Sequence, residues 1–146
     1  MTDLVEQRYK LAVNAITAAF MLVARHTMSG STLEIIDLNR RLGDLHDGDE
    51  GRLRRTLQSL NNLAVAPELL TFRLVTASLS QSLPRICTPQ MTPRDLLAAT
   101  ADLSRLATEA MSLRASDIAV TLGGIIDAIR AHAATNSIQA PREHLH

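Results

Sequence analysis

Apolar residues recur along this chain in steps of three and four. The clearest run covers residues 92–113, where Leu96, Ala99, Leu103, Leu106, Ala110 and Leu113 fall on one line. That alternation is the seam of a helix packed lengthwise on other helices. Thr92 stands where an N-cap is needed, Pro93 suits the first helical position, and Asp95 meets the positive end of the helix dipole.

The same reading divides the rest of the chain. A first helix is expected from Asp3 to His26, with Asp3 and Glu6 at capping-box spacing. Val5, Tyr9, Ala12, Ile16, Phe20 and Val23 form one stripe on it, and Leu4, Leu11, Ala15, Ala18 and Leu22 form another alongside. Two adjacent stripes make a wide apolar face, as on a helix that is central or that touches a partner. Gly30 can end this helix, and Ser31 with Glu34 can cap a second one from Thr32 to about His46, carrying Ile35, Leu38, Leu42 and Leu45. One long helix over residues 3–46 is the competing reading.

The segment His46-Asp47-Gly48-Asp49-Glu50-Gly51 reads as a turn. A third helix follows with Leu53, Leu57, Leu60 and Ala64 inward. A fourth runs from Pro67 to about Leu83, with Leu69, Phe72, Leu79 and Leu83 along one side and Leu70, Leu74 and Ala77 beside them. Pro84, Pro89 and Pro93 mark an extended connection. After the 92–113 seam, the step from Leu113 to Ile118 breaks the period, and Ser116 is expected to cap a last helix bearing Ile118, Leu122, Ile125 and Ile129. A single helix over residues 93–134 stays open. Gly123-Gly124 in its middle predicts a kink or a close backbone approach. Residues 135–146 have little to bury and are expected to form a mobile tail. The pattern as a whole predicts an all-α bundle of five to six helices with short turns, in one domain over residues 1–134.

Composition sharpens that picture. Hydrophobic residues make up 46% of the 146, but aromatics only 2%: Tyr9, Phe20 and Phe72. The core is therefore aliphatic, and nucleic-acid binding by base stacking is disfavoured. Basic and acidic residues balance at 15 each. A protein that works on phosphate backbones carries a positive excess, so nucleic acid is an unfavoured partner. Zero net charge also leaves little repulsion between copies, which favours self-association.

Cys87 is the only cysteine, so no intrachain disulfide forms, and a cytoplasmic setting is expected. No apolar run reaches the roughly 18 residues of a membrane span. The nearest, from Leu11 to Ala24, is interrupted by Asn14 and Thr17, and Asp3 and Glu6 offset Arg8 and Lys10 where a secretion signal would be basic.

Few residues suggest chemistry. The stretch Arg25-His26-Thr27-Met28-Ser29-Gly30-Ser31 resembles the phosphoacceptor stretch of histidine-phosphotransfer domains, which are helical bundles. The resemblance implies that His26 would accept a phosphoryl group, with Gly30 and Ser31 leaving room for the partner's active site. Ser29 stands where those domains carry a lysine. The bland reading is a histidine at a helix C-terminus, where the dipole favours it.

Asp47, Asp49 and Glu50 lack the spacing of a calcium loop and read as a solvated turn. Arg40, Arg41, Arg52, Arg54 and Arg55 make a local basic patch, conceivable as a DNA-binding surface, but acids lie close by in sequence. His46, His132, His144 and His146 show no ligand spacing on one helix face, and Cys87 has no neighbour to activate it. No metal, cofactor or catalytic residue is expected. The favoured reading is a non-enzymatic binding or regulatory module that meets a protein partner or a second copy of itself. Its candidate contact residues are Val5, Tyr9, Ile16, Phe20, Leu96, Leu103, Leu106 and Leu113; phosphotransfer through His26 and DNA binding through residues 40–55 are the alternatives.

Overall fold

The Leu96–Leu113 seam becomes a helix bounded where its caps fall. In a computed structural model that describes residues 2–26, 40 and 50–144, with side chains at 5–25, 40 and 51–132, this helix runs Pro93–Ser112. Thr92 Oγ1 accepts from the Asp95 N–H at 3.1 Å, and the Asp95 carboxylate accepts from the Thr92 N–H at 3.1 Å. The first turn is thus satisfied from both sides.

Five α-helices and two 3-10 segments make up the described residues, with no strand among them. They are α1 (Thr2–His26), α2 (Glu50–Leu63), α3 (Leu70–Ser82), α4 (Pro93–Ser112) and α5 (Ser116–His144), with 3-10 segments Pro67–Leu69 and Leu83–Cys87. The fold is an all-α bundle. The expected second helix, over residues 32–46, lies outside the described residues apart from Arg40; of the turn expected over residues 46–51 only Glu50 and Gly51 are described, and they open α2 instead of a turn.

Each inward row meets the others in one core. Leu53, Leu57, Leu60 and Ala64 of the α2 row are sealed, as are Leu69, Phe72, Leu79 and Leu83, and Ala99, Leu103, Leu106 and Ala110. Ile118, Leu122, Ile125 and Ile129 close the α5 side, and Ala12, Ala15, Ile16, Ala19 and Leu22 the α1 side. Alanine in these rows lets helix axes approach closely, since helix spacing follows the side chains at the contact. α4 packs chiefly on α3 and α5, and α1 packs chiefly on α5 and the 3-10 segment Leu83–Cys87.

Two local expectations are corrected. The connection after Leu83 is not extended throughout: Leu83–Cys87 winds into a 3-10 helix that buries Leu83, Pro84, Ile86 and Cys87. Pro84 sits in its first turn, where the missing N–H leaves nothing unsatisfied. Ser116 is the first helical residue of α5 and not its cap; the Ala115 carbonyl accepts from Ala119 N–H at 3.0 Å. The break before it is made by Arg114, whose φ of 62° is left-handed. With Ala115 N–H on Ala110 C=O at 2.8 Å and Arg114 N–H on Met111 C=O at 3.0 Å, α4 ends in a Schellman motif.

Of the two outcomes expected for the glycine pair, the close approach is excluded. Neither Gly123 nor Gly124 is approached closely, because a methyl group added at either would meet nothing within 4 Å. Beyond Thr135 the helical backbone of α5 continues to His144.

Two substitutions test this packing. Gly124→Ala, at an exposed helical position with open space, is expected to stabilise the protein by about 0.5–1 kcal/mol. Leu103→Ala, in the sealed centre of α4, is expected to destabilise it by about 2–5 kcal/mol. Urea titrations followed by circular dichroism measure both.

Candidate functional site

α3 is apolar on two sides. Its inner face buries Phe72, Val75, Thr76 and Leu79. Its outer face carries Leu70, 62% exposed, Leu74, 66% exposed, and the exposed Ala77, spaced at one and two helical turns. Val65, 71% exposed, stands just before the 3-10 turn that leads into α3. An aliphatic stripe left in water at helical spacing marks an interaction surface more than scattered apolar residues do.

Polar side chains hold α3 in this orientation. Asn61 of α2 donates through Nδ2 to the Arg73 carbonyl at 2.6 Å and to Thr76 Oγ1 at 2.9 Å. On the other flank, Ser78 and Ser82 both donate to Asp102 Oδ2 of α4, at 2.9 and 2.7 Å. Asp102 is buried and its Oδ1 also accepts from Arg105 Nη1 at 3.2 Å. A buried carboxylate with three donors fixes helix register, because losing one leaves a desolvated oxygen unsatisfied.

A second polar cluster lies at the end of the bundle where the 3-10 segment meets α1. Arg8 is only 5% exposed. Its Nε donates to the Ile86 carbonyl at 2.6 Å and its Nη2 to the Thr88 carbonyl at 3.2 Å. The guanidinium thereby closes the last carbonyls of the 3-10 helix on either side of Cys87, whose Sγ lies 4.0 Å from the Leu83 carbonyl. Burial holds the Arg8 pKa below its ordinary value, and the nearby Cys87 works the other way. His132 of α5 has both ring nitrogens sealed from solvent without a hydrogen-bond partner. Burial first, and then the Arg8 charge, hold its pKa below the usual histidine value.

The opposite end joins the same two helices. Arg25 of α1 clasps Asp117 of α5 through both guanidinium nitrogens, at 2.8 and 2.5 Å. The Arg25 hydrogen bond is the main cause that pulls the Asp117 pKa down to about 2. Both side chains are well exposed, so the clasp orients the helices more than it stabilises them. It joins the C-terminal end of α1 to the N-terminal end of α5. Beside it a cleft of about 270 Å³ opens between them, lined in part by Ala18, Met21, Ile118 and Ile125. Thr17 and Thr121 also line it, but their hydroxyls turn back onto the Val13 and Asp117 carbonyls at 2.9 and 3.0 Å. The walls are therefore more apolar than the residue names suggest.

The contact residues read from the sequence lie elsewhere. Ile16, Leu103 and Leu106 are sealed in the core, so no partner can touch them while the bundle is closed. Tyr9, Phe20, Leu96 and Leu113 are half-buried against that core, and Val5 is half-buried at the start of α1. His26 is the last residue of α1, and Gly30 and Ser31 lie outside the described residues. Of the arginine patch, Arg41 also lies outside them. Arg40 and Arg52 are each engaged with a partner, and the Nε of Arg54 is sealed. Among the described residues no three His, Cys, Asp or Glu side chains converge as metal ligands, and no helix is long and apolar enough to cross a membrane.

The outer α3 stripe was visible in the sequence as a row beside the inner one, but nothing in the spacing says which row is covered. Arg8 gave no local signal, because the carbonyls it reaches lie far away in sequence. No protein-family model, curated protein or solved structure matches the chain.

His132 makes stability pH-dependent. With its pKa lowered from the ordinary 6.5, the folded state binds this proton less readily than the unfolded chain. Its contribution is complete above the unfolded value and is lost as the pH falls through the lowered folded one. The melting temperature is expected to fall more steeply between pH 7.5 and 5 (a range of about 1–1.5 units on either side of the histidine value) for the natural chain than for His132→Leu. Melting curves at matched ionic strength measure the difference.

Proposed function

We propose that this protein is a non-enzymatic binding module whose working surface is the outer face of α3, and that a second copy of the chain occupies it. The observation that carries the reading is the exposed Leu70–Leu74–Ala77 stripe on a helix already buried along its other side.

Two features favour a second copy. The chain carries no net charge, so copies approach without long-range repulsion. The stripe is also suited to pairing with itself. Across a two-fold axis near Leu74, antiparallel α3 helices set the small Ala77 of one copy against the large Leu70 of the other. The register of α3 is held by Asn61 on one flank and by Asp102 on the other, so the face is presented on a rigid element. In this reading the regulatory output is the association itself, and no reaction is catalysed.

Light scattering on a size-exclusion column tests the proposal. The natural chain is expected to approach twice the monomer mass at high micromolar concentration. Leu74→Glu is expected to stay monomeric with an unchanged circular-dichroism spectrum. A natural chain that remains monomeric at every concentration, or a Leu74→Glu chain that dimerises equally well, overturns the assignment.

A further inference from the structure

We propose that the cleft between α1 and α5 binds a single-tailed amphiphile, an aliphatic chain of about ten carbons with one anionic head. The cleft holds about 270 Å³, and its apolar lining is Ala18, Met21, Ile118 and Ile125. An apolar cavity of about 150 Å³ takes one benzene molecule, so the space here suits a longer body. It is also elongated: α1 lines it from Asn14 to Met21, two helical turns or about 11 Å. No aromatic ring is among the lining residues, so a flat ligand has nothing to stack on. Both lining threonines spend their hydroxyls on carbonyls of their own helices. Met21, 45% exposed, offers a flexible thioether that adapts to an aliphatic chain.

The two ends of the cleft differ in charge. One is bounded by Arg25 and Asp117, whose charges cancel in their clasp. At the other end α1 supplies Asn14 and, one turn earlier, Lys10. Lys10, Asn14 and Met21 are exposed and Thr17 is half-buried, so at spacings of four, three and four residues they form one strip, and the cleft runs along it. Among the described residues no ion pair engages Lys10 and no hydrogen bond engages the Asn14 carboxamide. The next acid along the strip, Glu6, stands a further turn away from the cleft. An anionic head at this end accepts from the ammonium and from the carboxamide N–H, and the tail lies along the aliphatic lining toward the clasp. The space admits one chain, which fits a free amphiphile and not a two-tailed bilayer lipid. The cleft is independent of the α3 face, and neither reading rests on the other.

The test titrates sodium decanoate, below its micelle-forming concentration, into the full chain by calorimetry and follows the methyl signals of Met21, Ile118 and Ile125. One saturable site is expected, with the three signals shifting in step. Decanol, which has the tail without the charge, is expected to bind about tenfold more weakly. Lys10→Gln is expected to lose a similar factor for decanoate and to keep its affinity for decanol. Thr121→Phe, at an exposed position on the cleft, fills the space and is expected to abolish binding with an unchanged circular-dichroism spectrum. Absence of a saturable site, equal affinity for decanoate and decanol, an undiminished decanoate affinity in Lys10→Gln, or binding retained in Thr121→Phe each overturn the proposal. Methyl signals that shift with protein concentration alone assign the cleft to a second copy of the chain, and that result overturns it too.

Discussion

The structure depends on close packing of small and branched aliphatic side chains along α4. Ala99, Leu103, Leu106 and Ala110 are sealed there between α3 and α5, so one helix carries the contacts of both neighbours. Phe72 is the one aromatic side chain sealed among the described residues, so the core has few large plates to span gaps and the rods must come close. That constraint explains why the inward rows of α1, α2 and α4 mix alanine with leucine or isoleucine. The Schellman end of α4 at Arg114 is made with a left-handed arginine where glycine is the usual residue.

An aliphatic core leaves polar groups little company, and the bundle gathers them at a few points. Asp102 collects Ser78, Ser82 and Arg105 and ties α3 to α4. Asn61 ties α2 to α3. Arg8 ties α1 to the 3-10 corner, and Arg25 with Asp117 ties α1 to α5. These contacts sit at the ends and flanks of helices, so they set register while hydrophobic burial supplies most of the cohesion. Arg8 differs from the others because its hydrogen bonds run to main-chain carbonyls. Among the described residues, buried nitrogens without a partner remain on the His132 ring and at Arg54 Nε.

Much of the architecture was legible in the spacing of apolar residues. The inward rows of α2, α4 and α5 were read residue by residue, because a period near 3.6 selects one face whatever that face meets. The capping box at Thr92 and Asp95 was legible for the same reason: its partners are three residues apart. What escaped was long-range or two-valued. Arg8 reaches carbonyls 78 and 80 residues away, and no local pattern announces such a contact. On α3 the two apolar rows look alike in sequence, and only the fold leaves Leu70 and Leu74 in water. The contact residues chosen from the sequence were the most regular rows, and regularity selects the core of a bundle as readily as it selects an interface. At the glycine pair the spacing left a kink and a close approach open, and the open space at Gly123 and Gly124 excludes the close approach.

The central claim is that the uncovered face of α3 exists to meet its own image. Electron–electron distance measurement tests it most directly, with a nitroxide at Thr71→Cys in a Cys87→Ser background, at a position flanking the stripe. Helices packed face to face lie about 8–10 Å apart, so the account predicts a sharp inter-copy distance under roughly 30 Å between labels. A sample at high concentration that shows only the featureless decay of unassociated copies, or a distance far beyond that range, contradicts it.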